Sequence, residues 1–172
     1  ALYRASVYGN LGIMFPMITS VSEVQKVLEI CKTVREELQA EQIPYAEKIE
    51  LGIMIETPAA AIISDQLAPL VDFFSVGTND LTQYTLACDR QNPDIESFCD
   101  THHEAILRLI AWSAKNAHEH GAWIGICGEL AADTSLTERF LRMGIDELSV
   151  SPTFVLKVRD AVRKVDLCTK EN

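Results

Sequence analysis

Long apolar runs are missing from this 172-residue sequence, and no uninterrupted hydrophobic stretch is long enough to cross a bilayer. Glycine and proline are sparse, at 8 and 6, while 48% of the residues are hydrophobic. That balance excludes an intrinsically disordered chain. Positive charge is scarce too: 15 Lys and Arg stand against 25 Asp and Glu, a formal net charge of −10. Nucleic acid and anionic membranes need clustered cations, so neither is expected as a partner. An anionic substrate stays open, because a few local arginines or a divalent cation can offset the overall field. The 5 cysteines, Cys31, Cys88, Cys99, Cys127 and Cys168, include no Cys-x-x-Cys pair. With an odd number, neither a disulfide framework nor a zinc ribbon is indicated, and reduced thiols in a cytoplasmic setting are the expectation. The opening ALYRASVYGN has no signal-peptide pattern and reads as the middle of a helix, which suggests further chain upstream.

What the sequence does contain is an alternation. Short apolar runs at Leu11–Ile18, Ile49–Ile55, Phe73–Val76, Trp123–Cys127 and Leu148–Val150 lie beside Gly or Pro and suit strands buried on both faces. Between them the 3.6-residue period predicts helices over Ser22–Gln39, His103–Glu119, Thr134–Met143 and Thr153–Val165, with a shorter one at Pro58–Ala68. Strand and helix alternating without a polar linker imply parallel strands joined by helical crossovers. An open doubly wound sheet would carry a glycine-rich phosphate loop after its first strand, but Thr19-Ser20-Val21-Ser22 stands there. Polar residues at the C-terminal ends of several strands favour a (β/α)8 TIM-type barrel. A whole barrel needs about 250 residues, so the chain reads as an incomplete, C-terminal portion of about five β/α units.

Glu56 follows the second apolar run, and Asp80 follows the third by way of Gly77-Thr78-Asn79. Two carboxylates at neighbouring strand ends, with room for water and substrate oxygens, suit Mg²⁺ better than zinc. Each also has a plain structural use. Thr57-Pro58 is a helix start, and Asp80-Leu81-Thr82-Gln83 has the form of a capping box. The Asn79 amide can bind a carboxylate or phosphate oxygen, or can serve the turn. Cys127 ends another strand; the nearby Glu129 and Asp133 would raise its pKa, making it a proton donor more readily than a nucleophile, unless it is simply buried and inert. Arg90 and Arg4 have the fork that clamps anions, or are solvated surface residues. The pairs His102-His103 and His118-x-His120 lack the helical spacing of metal ligands, and His103 is the only weak candidate among them.

Three of these stretches resemble the signatures of the phosphoenolpyruvate-utilising enzymes: Gly52-Ile-Met-Ile-Glu56-Thr-Pro-Ala-Ala-Ala61, Phe73 through Arg90, and Gly125-Ile-Cys127-Gly-Glu-Leu-Ala-Ala-Asp133. Within that family, Glu56-Thr-Pro-Ala-Ala-Ala, Tyr84, Cys127-Gly-Glu-Leu and Arg4-Ala-Ser with Ile13-Met-Phe-Pro-Met17 are similar to the Enzyme I branch of the sugar phosphotransferase system. The resemblance implies that residues 1–172 are the C-terminal part of a phosphoenolpyruvate-binding barrel. It implies Mg²⁺ on Glu56 and Asp80, substrate on Asn79, Asp80, Arg90 and Arg4, and Cys127 as the acid that protonates the enolate. The partners it implies are phosphoenolpyruvate and pyruvate, a phosphohistidine domain of the same protein, the small histidine phosphocarrier protein, and a second copy in a homodimer. The acceptor histidine and two further arginines would lie outside this stretch, leaving it inactive alone. Rival readings are the barrel of pyruvate phosphate dikinase or phosphoenolpyruvate synthase, a metal-dependent carbon–carbon lyase that would not need Cys127, and a module for dimerisation and ligand binding only. The linker Asn92–Glu104 departs from the commoner family wording.

Overall fold

A computed structural model describes residues 1–168 of the chain. Five strands, β1 (Gly12–Phe15), β2 (Glu50–Ile55), β3 (Phe73–Gly77), β4 (Trp123–Cys127) and β5 (Glu147–Leu148), form one sheet in chain order. Every neighbouring pair is parallel. An order that never reverses has no switch point of the doubly wound kind and is that of a barrel wall. The helices are α1 (Leu2–Ala5), α2 (Val21–Ala40), α3 (Pro58–Ile62), α4 (Ser64–Leu67), α5 (Thr78–Thr85), α6 (Glu104–Glu119), α7 (Thr137–Arg142) and α8 (Val155–Lys164).

The period-2 alternation of the strands separates two faces. Ile13, Ile53, Ile55, Phe74, Val76, Ile124 and Ile126 point one way and are buried. All but Ile13 share a core with helical residues such as Ala60, Ala61, Leu81, Ile106 and Ile110, together with Phe140 from α7. The opposite face carries Met14, Gly52, Phe73, Ser75, Trp123 and Gly125. There Phe73 stacks on Trp123 with ring centroids 4.5 Å apart, and it lies so close over Gly52 that a β-carbon at 52 would collide with its ring. Glycine at 52 is therefore a packing requirement.

Local chemistry sets the element ends. Ser20 and Glu23 form a capping box that starts α2. Thr57 caps α3 by accepting from the Ala60 N–H at 3.1 Å, with Pro58 in the first turn. The apolar run Leu11–Ile18 yields only four strand residues, because Pro16 has no N–H for the ladder and Met17 adopts a left-handed φ of 58°. The segment Pro58–Ala68 breaks at Ile63 into α3 and α4 instead of forming one helix. The helices expected over Thr134–Met143 and Thr153–Val165 shorten to α7 and α8, and the last strand shifts to Glu147–Leu148. At the N-terminal strand ends, Asp72 accepts from the Leu51 N–H at 2.8 Å, and Asp146 accepts from the Ile124 N–H at 2.9 Å. An aspartate ahead of one strand thus pins the start of its neighbour in two places, β2 beside β3 and β4 beside β5.

The expectation that all thiols are reduced is corrected: Cys88 and Cys99 are joined in a disulfide with a Cα separation of 6.0 Å. The chain turns back after α5 through a 3-10 turn at Pro93–Phe98, which brings together two cysteines 11 residues apart. Cys31, Cys127 and Cys168 are free.

Phe74 is wholly buried between sheet and helices. Phe74→Ala should therefore cost about 3–5 kcal/mol of stability, read as a lower urea midpoint at unchanged slope. A loss within about 1 kcal/mol would contradict the packing described.

Candidate active site

The parallel register lines up a row of residues at the C-terminal ends of the strands. Ile55 pairs with Val76, and Gly77 pairs with Cys127. Glu56, one step beyond Ile55, therefore sits beside Gly77, and Glu56 and Cys127 flank a position with no side chain. A β-carbon at Gly77 would lie 2.7 Å from Glu56 Oε2 and 2.8 Å from Glu56 Cβ. The absent side chain leaves the space that the carboxylate occupies.

Glu56 is buried, at 4% exposure. Its Oε1 accepts from the Met17 backbone N–H at 2.7 Å. The left-handed turn at Met17 aims that N–H at the carboxylate, so a sparsely populated backbone conformation sits where the site needs it. Asp80 lies in the first turn of α5, three residues past Gly77. The capping-box alternative for Asp80 is corrected, because α5 begins at Thr78 and no side chain caps it. The Asp80 Oδ1 instead faces Arg90 Nη2 at 3.4 Å.

Cys127 is held from three directions. Its Sγ donates to the Val76 carbonyl at 3.4 Å and receives the Ser75 hydroxyl at 3.7 Å. Its own carbonyl accepts from the Thr78 hydroxyl at 2.8 Å. Next to it, Gly128 has φ 91°, and a β-carbon there would lie 2.5 Å from Thr78 Oγ1 and 3.0 Å from Asn79 Oδ1. The Asn79 Oδ1 accepts from the Glu129 N–H at 3.2 Å. Thr78 and Asn79 thus fasten the turn after β4 to the start of α5. Burial pushes the Cys127 thiol up, and the Glu56 and Glu147 carboxylates add to this against the Ser75 hydrogen bond. These charges replace Glu129 and Asp133, the ones expected from proximity in sequence. Asp133 instead is held low by the Ser135 hydroxyl, helped by His102.

Two cavities open at this end. One, of about 590 Å³, runs past Asn79, Gly128, Glu129 and Ser149; the other, of about 290 Å³, is lined by Asn79, Arg90, Glu129 and the Cys88–Cys99 pair. The structure thus brings Glu56, Asn79, Asp80, Arg90 and Cys127 to one mouth. Arg4 is not among them. It lies in α1 ahead of β1, where its neighbour Tyr3 packs on Tyr45 with ring centroids 5.9 Å apart and Ser6 accepts from the Ala46 N–H. Those residues precede β1 and β2, so Arg4 stands at the opposite strand ends. His103 serves α6, its Nδ1 accepting from the Ala105 N–H at 3.1 Å. Sequence reasoning missed Ser75, Thr78, Met17 and the Gly77 gap. Only the alternation of β3 would have pointed to Ser75 as facing the same side as Cys127.

Among the described residues no cluster of three or more His, Cys, Asp or Glu side chains is placed to hold an ion by itself. Glu56 and Asp80 offer two carboxylates, with the Glu56 Oε2 turned to the gap at Gly77. That set fits a hard cation that completes its shell with water and ligand oxygens.

The family model for the PEP-utilising enzymes, PEP-binding domain, matches residues 1–167. The chain belongs to this family. It is 48% identical over 166 residues to a phosphoenolpyruvate-protein phosphotransferase of Lactococcus lactis subsp. cremoris, and 47% over 165 residues to one of Priestia megaterium. Each match covers 96% of this chain and 29% of the relative, so the chain spans under a third of the curated relatives' length. In fold, it superposes on a citrate lyase from Burkholderia xenovorans LB400 with TM-score 0.66 at 20% identity, over 93% of this chain and 51% of that one. It also superposes on protein CitE from Mycobacterium tuberculosis, in complex with magnesium and pyruvate, with TM-score 0.60 at 14% identity, over 91% and 60%. Among the described residues no helix is long and apolar enough to cross a membrane.

The upward push on Cys127 has a measurable sign. In metal-free protein, its alkylation by iodoacetamide should rise with a midpoint above the ordinary thiol value of about 8.5. A midpoint at or below that of an unstructured cysteine would contradict the burial and the facing carboxylates.

Proposed function

We propose that this chain is the phosphoenolpyruvate-binding part of a phosphoenolpyruvate-protein phosphotransferase, Enzyme I of the sugar phosphotransferase system. The reading rests above all on Glu56 and Cys127 flanking the side-chain-free Gly77 at one barrel mouth. The identity of nearly half to phosphotransferases over 96% of the chain favours this branch over the dikinases.

Glu56 and Asp80 hold Mg²⁺, which when bound neutralises carboxylate and phosphate oxygens of the substrate. Asn79 and Arg90 bind the anionic ends of phosphoenolpyruvate; Arg90 sits 3.4 Å from Asp80, close enough to exchange that carboxylate for a phosphate oxygen. The phosphoryl group passes to a histidine of another domain, and the departing enolate takes a proton at its methylene carbon from the Cys127 thiol. A donor must keep its proton until that moment, and burial supplies this by raising the thiol pKa. The half-buried setting also keeps bulk water from competing as the acid. Arg4 was expected at this substrate site; its position among the N-terminal strand ends leaves it outside the proposed set. A cytoplasmic location, a homodimer and phosphate relay to the small histidine phosphocarrier protein complete the proposal.

Two substitutions in the full-length protein separate the roles. Cys127→Ala should lower turnover by about 100-fold or more while calorimetry finds phosphoenolpyruvate affinity nearly unchanged. Equal loss of both would contradict a proton-donor role. Glu56→Ala should weaken Mg²⁺ binding in a metal titration, and an unchanged titration would remove Glu56 from the ligand set.

A further inference from the structure

We propose that Cys88 and Cys99 form a reversible redox clasp that orders the Arg90 loop over the substrate mouth, so that the oxidised protein binds phosphoenolpyruvate more tightly than the reduced one. This rests on the functional reading above. Arg90 lies two residues after Cys88 in a segment that leaves α5 and does not enter α6 until Glu104. That segment has little of its own to hold it. The backbone bonds of Gln91, Asn92, Asp94 and Ile95 go to Asp89 or Asn92 inside it, and Phe98 is 71% exposed. Among the described residues its ties to the body are few. Cys88 is buried, and its N–H donates to the Gln83 carbonyl at 3.1 Å. The Arg90 N–H donates to Gln83 Oε1 at 3.3 Å, and the guanidinium faces Asp80. At the far end, His102 Nε2 meets Asp133 Oδ2 at 2.7 Å.

The disulfide ties Cys99, in the later part of the segment, back to Cys88 just past the end of α5. It does so in the wall of the same 290 Å³ cavity that Asn79, Arg90 and Glu129 line. Closing that loop removes conformational freedom which substrate binding would otherwise have to remove. In a reducing compartment such a bond is transient, which makes it a sensor.

The chemistry balances with a hydroperoxide as oxidant. One cysteine thiolate attacks the peroxide oxygen, giving a sulfenic acid and one molecule of water or alcohol. The second sulfur then displaces the sulfenic oxygen as water and forms the S–S bond. Return proceeds by exchange with a dithiol, which leaves as its own disulfide while both cysteines regain their protons.

The test equilibrates the full-length protein in glutathione buffers of oxidising or reducing poise, which cycle thiol pairs through mixed disulfides, and mass analysis checks that Cys127 stays unmodified. Alkylation mapping reports the state of Cys88 and Cys99. Calorimetry with phosphoenolpyruvate and Mg²⁺ then compares the two forms, and amide hydrogen exchange follows residues 89–100. Reduction should weaken binding by about tenfold and speed exchange in the loop. Cys99→Ser should behave as the reduced form at either poise. Equal affinity in the two forms, or failure of the pair to cross-link, would overturn the clasp. If phosphoenolpyruvate binds neither form, the functional reading fails and hydrogen exchange alone decides. Faster exchange on reduction then supports the clasp, and unchanged exchange overturns it.

Discussion

All five strands run parallel and pair without reversal, so whatever stands at the C-terminal ends of β2, β3 and β4 is delivered to the same edge of the sheet. Glu56, Gly77 and Cys127 occupy that row. A slip of one residue would turn Glu56 and Cys127 toward the helices, where Ile55 and Ile126 now lie at 0% exposure. The apolar alternation of the strands therefore does two jobs. It buries one face under α3, α5 and α6, and it fixes which polar side chains reach the mouth. Asp72 and Asp146, bonded to the starts of neighbouring strands, hold the same register from the other end.

Around that row the contacts are short and directional. Met17 presents its N–H to Glu56, Thr78 its hydroxyl to the Cys127 carbonyl, and the Glu129 N–H meets Asn79. Each tie crosses between loops of different strands, so the loops are positioned by one another as much as by the sheet. Gly77 and Gly128 are required for the same reason, since a β-carbon at either would enter the space of Glu56 or of Thr78 and Asn79. Under the proposed function an acidic protein can still receive an anion here, because a divalent cation held by the two carboxylates, with a guanidinium at the rim, would change the local sign.

Much of this was legible in the sequence. The short apolar runs located all five strands, and Glu56, Asn79, Asp80 and Cys127 stand at or just after the ends of those strands. Element ends were harder. Pro16 and Met17 cut the first apolar run short, and Ile63 broke a helix that composition alone would continue. Contacts between distant segments were harder still. The Cys88–Cys99 bond depends on the chain reversing after α5. His102 meets Asp133 across 31 residues of sequence. The carboxylates that face Cys127 come from β2 and β5 rather than from its own loop. Arg4 shows the opposite error: its neighbourhood in sequence is distinctive, yet chain direction places it at the far ends of the strands. Motif wording carries residue identity, whereas only the fold carries which end of a strand a residue occupies.

Under the proposed function, Glu56, Asp80 and Cys127 share one cation-binding mouth. Paramagnetic Mn²⁺, titrated in place of Mg²⁺ with phosphoenolpyruvate present and followed by backbone NMR, tests it most directly. The earliest and strongest line broadening should fall at residues 56, 77–80 and 127, with residues 4–11 and 46–50 at the other strand ends still sharp. Broadening centred on those other ends, or broadening that reaches residue 56 and spares residues 80 and 127, would contradict it.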